Sequence, residues 1–189
     1  MTERGKVGKI SSRTVYEGRI ISVDVDTVRF PNGATGELEM VRHPGASAVV
    51  PFLDDPRDSD PRVILIRQYR YAAQAFVYEI PAGRLDHGEE PLACAARELR
   101  EETGYSAGEL IPLTTFYTTP GFTDERIHLF AATGLTEGKS QLESDEVLDL
   151  VVMPISKAVD MIQTSELVDG KSMVGIFFAS RFVSEFMRA

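Results

Sequence analysis

The segment from Glu90 to Gly104 constrains the fold more than any other part of this sequence. Within it, the repeat of apolar residues changes from a period of two to a period of about 3.6, which is typical of a helix. Pro91 suits the first position of a helix, and Gly104 suits the residue just past its end. We therefore predict a helix at residues 91 to 103.

The predicted helix has two unlike faces. At about 100° per residue, its apolar side chains fall on one arc, and Glu98, Glu101 and Glu102 fall on a neighbouring arc. Each pair of like charges at this spacing costs about 0.2–0.5 kcal/mol, and acids near a helix C-terminus oppose the helix dipole. Two explanations stay open. Arg97 and Arg100 neutralise the acids as surface salt bridges, or the acids bind a hard divalent cation such as Mg²⁺, which prefers oxygen ligands.

The N-terminal part of the chain is rich in β-branched residues. A strand is predicted within residues 15 to 30, and the sequence then breaks at Pro31-Asn32-Gly33. This tripeptide indicates a hairpin turn before a second strand at about residues 37 to 42. We expect these segments to form a small sheet.

Strands dominate the remainder of the chain, and two helices close it. Further strands are predicted at residues 47–53, 63–69, 76–80, 110–118, 127–133 and 147–153. One closing helix is predicted from Ser156 or a neighbour to about Glu166. The other is predicted from Lys171 to Met187, where an apolar stripe indicates core packing.

Composition limits the kinds of partner. The 189 residues include 29 acidic and 20 basic side chains, for a formal net charge of -9. This balance argues against nucleic-acid or anionic-membrane partners, because both need clustered positive charge. Cys94 is the single cysteine, so no internal disulfide can form and a reducing compartment is expected. The sequence has neither an apolar N-terminal run nor a stretch of about 18 apolar residues, and we expect a cytoplasmic protein.

The stretch from Gly83 to Tyr105 carries the most specific motif. It reads Gly83, five residues, Glu89, seven residues, and then Arg-Glu-Leu-Arg-Glu-Glu-Thr-Gly-Tyr from Arg97 onward. This stretch resembles the Nudix box, and every position of that pattern is filled. The resemblance implies an α/β protein, with a Nudix α/β/α sandwich and a mixed sheet at residues 45–189. It also implies an N-terminal antiparallel β-sheet extension at residues 1–44, which serves dimerisation.

The resemblance further implies a metal site on the predicted helix. Glu98 and Glu102 resemble the principal metal ligands, and Glu101 resembles a third ligand for an additional ion. The backbone carbonyl of Ala82 often completes such a site. The implied cofactor is Mg²⁺, with Mn²⁺ as a substitute, and the number of ions stays open.

Catalytic roles follow from the same resemblance. Arg97 resembles the arginine that orients the acidic cluster, and Glu89 resembles the residue that holds the loop and the helix together. A separate carboxylate is expected as the base. Glu146 best matches a glutamate on the loop before a late strand, and Glu143 and Asp145 are close alternatives.

The flanking sequence narrows the substrate. Pro120 resembles the proline that marks ADP-ribose pyrophosphatases within the Nudix family. The segments around Arg70 and Glu79 resemble the same subfamily, in which the arginine contacts the diphosphate or terminal ribose and the glutamate lies beside the site. Phe122 walls the ligand or belongs to the core. Arg42 is a further predicted substrate-binding residue, on an N-terminal sheet that resembles one exchanged between the subunits of a homodimer.

The expected activity is hydrolysis of ADP-ribose to AMP and ribose 5-phosphate, by metal-assisted attack of water on the diphosphate. One alternative is another nucleoside-diphosphate-sugar diphosphatase, acting on GDP-mannose or on other ADP-sugars. Another is a Nudix module that senses a nucleotide without cleaving it. A purely structural acidic helix is the third.

Overall fold

Strands far outnumber helices in this protein. The computed structural model describes residues 6–139 and 148–186. In chain order the elements are β1 (Gly8–Glu17), β2 (Ser22–Arg29), β3 (Thr35–Arg42), β4 (Ala46–Pro51), β5 (Arg62–Arg70), β6 (Ala75–Glu79), β7 (Ala82–Arg84), α1 (Pro91–Thr103), β8 (Tyr105–Ser106), β9 (Glu109–Tyr117), β10 (Arg126–Thr133), β11 (Thr136–Glu137), β12 (Leu148–Pro154), α2 (Ile155–Gln163) and α3 (Gly170–Phe186). These residues fall into two compact units.

The first unit comprises residues up to Gly45 together with Tyr117–Arg126. β1, β2 and β3 form an antiparallel sheet in that order, which confirms the predicted N-terminal sheet. The Val41 N–H donates to the Phe122 carbonyl at 2.8 Å, so the 117–126 segment is hydrogen-bonded to the end of β3. The sequence did not predict that this later segment joins the N-terminal residues.

The strand predicted within residues 15–30 has the wrong bounds. The chain turns after β1, where the Gly18 N–H donates to the Ile21 carbonyl at 2.9 Å, and β1 itself begins at Gly8. Polar side chains near the start of β1 hide the strand from an apolar pattern: Lys9, Ser11, Ser12 and Arg13. Backbone pairing with β2 along the length of β1 provides the stabilisation that its side chains do not reveal.

The second unit comprises Ala46–Phe116 and the residues from Ile127 onward, and it contains two larger sheets. In the first, of order β7-β4-β10-β9, β4 runs parallel to β10 and antiparallel to β7, so the sheet is mixed as predicted. In the second, of order β12-β5-β6, both pairings are antiparallel. β8 and β11 pair with each other, and the sequence does not predict them because each has only two residues.

The helices agree closely with the sequence prediction. α1 spans the predicted range, and Gly104 ends it with a left-handed φ of 78° while its N–H donates to the Arg100 carbonyl at 2.9 Å. α2 ends at Gln163 rather than at Glu166, because Ser165 adopts a positive φ of 59° that a helix cannot contain. Among the described residues, none of the helices has both the length and the apolar character needed to cross a bilayer.

Helices cover both faces of the mixed sheet. Val49 packs with Ala95 and Leu99 of α1, whereas the next residue, Val50, packs in a separate cluster with Ile176 of α3. Successive residues of a strand point to opposite faces, so one strand is buried against helices on both sides. This arrangement confirms the predicted α/β/α sandwich and fixes α1 against β4 and β7.

Candidate active site

Two glutamates of α1 lie against the backbone of β7. Glu102 is 3% exposed, and its Oε2 atom accepts a hydrogen bond from the Ala82 N–H at 2.9 Å. The Glu98 carboxylate is buried over Gly83, where a Cβ atom would fall 1.9 Å from Glu98 Oε1. Because a Cβ atom cannot occupy that position, glycine at residue 83 is what lets the carboxylate approach the strand. α1 thus brings two carboxylates to consecutive residues of β7.

Arg97 lies among the carboxylates of Glu89, Glu98 and Glu101, and these four side chains are called the Arg97 cluster below. The Nε and Nη2 atoms of Arg97 donate to the two oxygens of Glu89, each at 2.9 Å. Its Nη1 atom donates to Glu98 at 2.6 Å and to Glu101 at 3.1 Å. Three carboxylates therefore share one guanidinium, and the cluster has an excess of acid.

The pairing of Arg97 with Glu89 keeps both groups charged. Hydrogen bonding from Arg97 is the main cause that lowers the pKa of Glu89 from 4.5 to about 2, and the Asp86 N–H contributes a further hydrogen bond. Hydrogen bonding to Glu89 is likewise the main cause that raises the pKa of Arg97 above its ordinary value. This pair joins the loop after β7 to α1, as predicted for Glu89.

The carboxylates around β7 and α1 fit an open metal site better than a closed cage. In the part of the chain that the structure describes, no three carboxylate, imidazole or thiol groups converge into a ready cage. The donors Glu98 and Glu102 suit a more open site, because Mg²⁺ commonly takes one or two carboxylates and completes its shell with water and phosphate oxygens. The salt bridges that the sequence left as an alternative are present around Arg97, but they leave acid unbalanced.

Three of the predicted metal ligands meet directly, and the fourth is connected to them through another residue. Ala82, Glu98 and Glu102 meet at β7, where Ala82 is in contact through its N–H group. Glu101 joins them through Arg97. Their role as metal ligands stays a prediction.

A second group of charged side chains surrounds Glu79 at the end of β6. Glu79 is 2% exposed, and it accepts a two-pronged hydrogen bond from Arg70, with Nε–Oε1 at 2.6 Å and Nη2–Oε2 at 2.7 Å. The Nζ atom of Lys171 also donates to Glu79. Burial acts to raise the pKa of Glu79, but Arg70 and Lys171 outweigh it, and the pKa lies below its usual value. The sequence predicted Arg70 and Glu79 separately and did not predict that they pair.

Lys171 extends this group to the start of α3. Lys171 Nζ donates to Asp169 Oδ2 at 2.9 Å, and the same oxygen accepts the Ser172 N–H at 3.0 Å and the Ser172 hydroxyl at 2.5 Å. Ser172 Oγ accepts the Ile80 N–H at 2.8 Å. Arg70, Glu79, Lys171, Asp169 and Ser172 are called the Glu79 cluster below. Sequence reasoning missed its last three members, although Asp169 three residues before Ser172 has the spacing of a helix N-cap.

The other two predicted substrate residues belong to the first unit. Arg42 donates to Asp24 at 3.0 Å, to Asp124 at 3.3 Å and to Asp26, so three carboxylates share its guanidinium. Phe122 is 53% exposed, which excludes the core role that the sequence left open for it. The substrate-binding roles of Arg42 and Phe122 stay predictions. The predicted base Glu146 and its alternatives Glu143 and Asp145 lie outside the described residues.

Family models match most of this chain. The model described as NUDIX domain matches residues 42–172. A second model, described as nucleoside diphosphate sugar hydrolase N-terminal domain, matches residues 9–37.

Comparison with curated proteins and solved structures gives proteins that are similar over most or all of this chain. The methanol dehydrogenase activator of Bacillus methanolicus and the ADP-ribose pyrophosphatase of Bacillus subtilis are each 38% identical over 169 residues, covering 88% of this chain and 89% of the relative. The crystal structure of an ADP compounds hydrolase superposes with a TM-score of 0.80 at 22% identity, covering 100% of both chains. At that identity the structural likeness concerns the fold alone.

Proposed function

This chain belongs to the NUDIX family, and we propose on that premise that it hydrolyses ADP-ribose to AMP and ribose 5-phosphate. The observation that carries the proposal is the approach of two carboxylates to β7, where Glu102 accepts the Ala82 N–H and Gly83 leaves room for Glu98. Two carboxylates held against one strand are suited to a divalent cation that also binds a diphosphate. The similarity to the ADP-ribose pyrophosphatase of Bacillus subtilis supports ADP-ribose as the substrate.

Sequence identity alone does not decide between ADP-ribose hydrolysis and the role of a methanol dehydrogenase activator. The relatives that carry these two names, from Bacillus subtilis and Bacillus methanolicus, are each 38% identical to this chain. The acid excess of the Arg97 cluster favours hydrolysis. A module that only sensed a nucleotide would gain nothing from several carboxylates whose mutual repulsion opposes folding.

The proposed cofactor is Mg²⁺, with Mn²⁺ as a substitute. Glu98, Glu102 and the Ala82 carbonyl would hold it, and Glu101 would serve an additional ion. When bound, the ion supplies charge compensation for the diphosphate and lowers the pKa of the attacking water. Arg97 holds the carboxylates of Glu98 and Glu101 in fixed orientations through its hydrogen bonds.

The protein groups proposed for the substrate are cationic and aromatic. The planar guanidinium of Arg70 can grip phosphate oxygens through two N–H groups, and its side chain is 44% exposed. Glu79 orients Arg70 from within the fold. Phe122 is exposed enough to wall a ligand, and Arg42 is a further candidate for substrate contact.

Glu146 is proposed as the base that takes a proton from the attacking water. Glu146→Gln, Glu143→Gln and Asp145→Asn would be compared at saturating substrate and metal. The base is the residue whose neutral variant has a kcat lower by about 100-fold or more. Equal activity in all three variants would contradict a base in this segment.

A homodimer is proposed as the assembly. Four large apolar side chains in or just before β1 are each at least 50% exposed, and covering them would favour a protein partner: Val7, Ile10, Val15 and Tyr16. The mass in solution, measured by light scattering, tests the dimer.

The single cysteine supports the cytoplasm as the proposed location, which fractionation tests.

The activity is tested by incubating the full chain with ADP-ribose and Mg²⁺ and separating the products. AMP and ribose 5-phosphate are expected in equal amounts, and the ratio of kcat to KM should exceed that for GDP-mannose and other ADP-sugars. Binding of ADP-ribose without AMP would favour the sensing module instead. A higher ratio of kcat to KM for another nucleotide sugar would make that compound the preferred substrate. The proposed hydrolysis of a diphosphate bond would still hold.

A further inference from the structure

Lys171 is a partly buried cation to which the proposed reaction gives no role. Its side chain is 13% exposed, and Nζ donates to Glu79 and to Asp169. A lysine with so little of its side chain exposed loses hydration and rotamer freedom, and well-placed acids compensate for that loss. Lys171 is therefore a fixed part of the Glu79 cluster rather than a solvated surface charge.

The two cations that bind Glu79 differ in their access to solvent. The side chain of Arg70 is 44% exposed, whereas that of Lys171 is 13% exposed. An anion that arrives from solvent can meet the guanidinium of Arg70 but is kept from the ammonium of Lys171. A diphosphate would then compete with Glu79 for the N–H groups of Arg70, since carboxylate and phosphate accept from the same planar fork.

The Glu79 cluster also fixes the start of α3 against the strand ends. Asp169 caps α3 through the Ser172 N–H, and Ser172 holds the Ile80 N–H. Ile80 follows Glu79 directly and lies two residues before Ala82, the first residue of β7. Lys171 is thus held in place by its own helix, independently of Arg70.

We propose that Lys171 is a positioning residue for substrate binding, which supplies Glu79 with a permanent counter-charge. Arg70 can then turn part of its hydrogen bonding from Glu79 to the anionic diphosphate. This inference rests on the proposed function, because it takes Arg70 as the group that meets the diphosphate. Without Lys171, Arg70 would have to balance a buried carboxylate by itself and would be held on it.

Lys171→Met tests this role, because it removes the ammonium group and keeps a side chain of similar length. The KM for ADP-ribose is expected to rise about tenfold, the equivalent of one charge-assisted hydrogen bond to the substrate. The kcat is expected to stay within about threefold, since the chemical step is not affected. Lys157→Met, at an exposed lysine of α2, is the matched control and leaves both constants unchanged. Lys171→Arg keeps the charge and should recover most of the wild-type KM.

A double-mutant cycle with Glu79→Gln separates positioning from general support of the fold. A neutral amide at residue 79 needs no counter-charge, so Lys171→Met in that background should change KM by less than about twofold. The same tenfold rise in both backgrounds would overturn the proposal. If Lys171→Met alone does not fold, a tenfold rise in the KM of the double variant over that of Glu79→Gln still overturns the proposal, and the KM of Lys171→Arg, expected near that of the wild type, supports it.

Assays of the wild-type protein distinguish failure of the proposed hydrolysis from failure of the role proposed for Lys171. Failure of the wild type to release AMP from ADP-ribose overturns the proposed function and this inference with it. Normal turnover combined with an unchanged KM in Lys171→Met overturns this inference alone.

Discussion

The Arg97 cluster and the Glu79 cluster use the same kinds of side chain in different proportions. In the Arg97 cluster one guanidinium serves three carboxylates, whereas in the Glu79 cluster Arg70 and Lys171 serve the carboxylates of Glu79 and Asp169. The first has an acid excess and the second is balanced. Charge balance, more than the number of ion pairs, therefore indicates where an added cation is needed and where an anion can be received.

Glu102→Gln is expected to have the largest effect on this comparison. The amide oxygen can still accept the Ala82 N–H, so the fold should persist, but a negative charge is lost from the pair of carboxylates, Glu98 and Glu102, that lies against β7. Release of AMP should fall on the order of 10³-fold, because metal-assisted charge compensation is worth several kcal/mol. Glu109→Gln, at an exposed glutamate of β9, is the control, and circular dichroism checks the fold. Full activity in Glu102→Gln would contradict a metal-binding role for Glu102.

Gly83→Ala tests the position of the Glu98 carboxylate without changing any charge. Its methyl group would fall 1.9 Å from Glu98 Oε1, so the carboxylate must move. Activity should fall about 10- to 100-fold, and the Mg²⁺ concentration for half-maximal activity should rise, as is typical when the support of a ligand is lost. Gly170→Ala is the control, since no atom lies within 4 Å of its added methyl group. An unchanged Mg²⁺ requirement in Gly83→Ala would contradict a metal site at Glu98.

Glu89→Gln tests whether the pairing inside the Arg97 cluster stabilises the fold. Because the pKa of Glu89 is lowered from 4.5 to about 2, its contribution is complete above about pH 4.5 and is lost as the pH falls through 2. The variant should lose on the order of 1–2 kcal/mol of unfolding free energy at pH 7, after allowance for solvent screening. Urea denaturation at several pH values measures this, and the difference from wild type should shrink below pH 4.5. A difference that is constant with pH would contradict the assigned ionisation.

The smallest expected effect is the stabilisation of the fold by Mg²⁺, which tests directly where the ion binds. An ion present at about ten times its dissociation constant stabilises by about 1.4 kcal/mol, seen as a higher Tm than in NaCl of equal ionic strength. The gain should persist in Glu79→Gln and vanish in Glu102→Gln. Equal gains in all three proteins would contradict a Mg²⁺ site that includes Glu102.

The sequence predicted α1 and the mixed sheet well because their signals are local. Pro91 and Gly104 mark the ends of the helix, and continuous apolar runs mark the buried strands. β1 was missed because its strand character comes from pairing with β2 and not from its own side chains. Local pattern therefore fails where partners, rather than propensity, make the element.

The candidate site could be predicted only in part for a similar reason. The motif identifies Glu98 and Glu102, but the approach of Glu98 to Gly83 and of Glu102 to Ala82 depends on how α1 packs on the sheet. Lys171 lies 92 residues from Glu79 along the chain, and no spacing rule connects them. Which acid meets which cation is decided by the tertiary fold.

The composition of the first unit has a practical consequence for rebuilding this protein. Since Tyr117–Arg126 belongs with the N-terminal residues, that unit is assembled from two separate stretches of the chain. A truncation at Gly45 would strip the retained stretch of the Val41 hydrogen bond and leave Asp124 without Arg42. Grafting this unit between relatives would accordingly require three splice points instead of one.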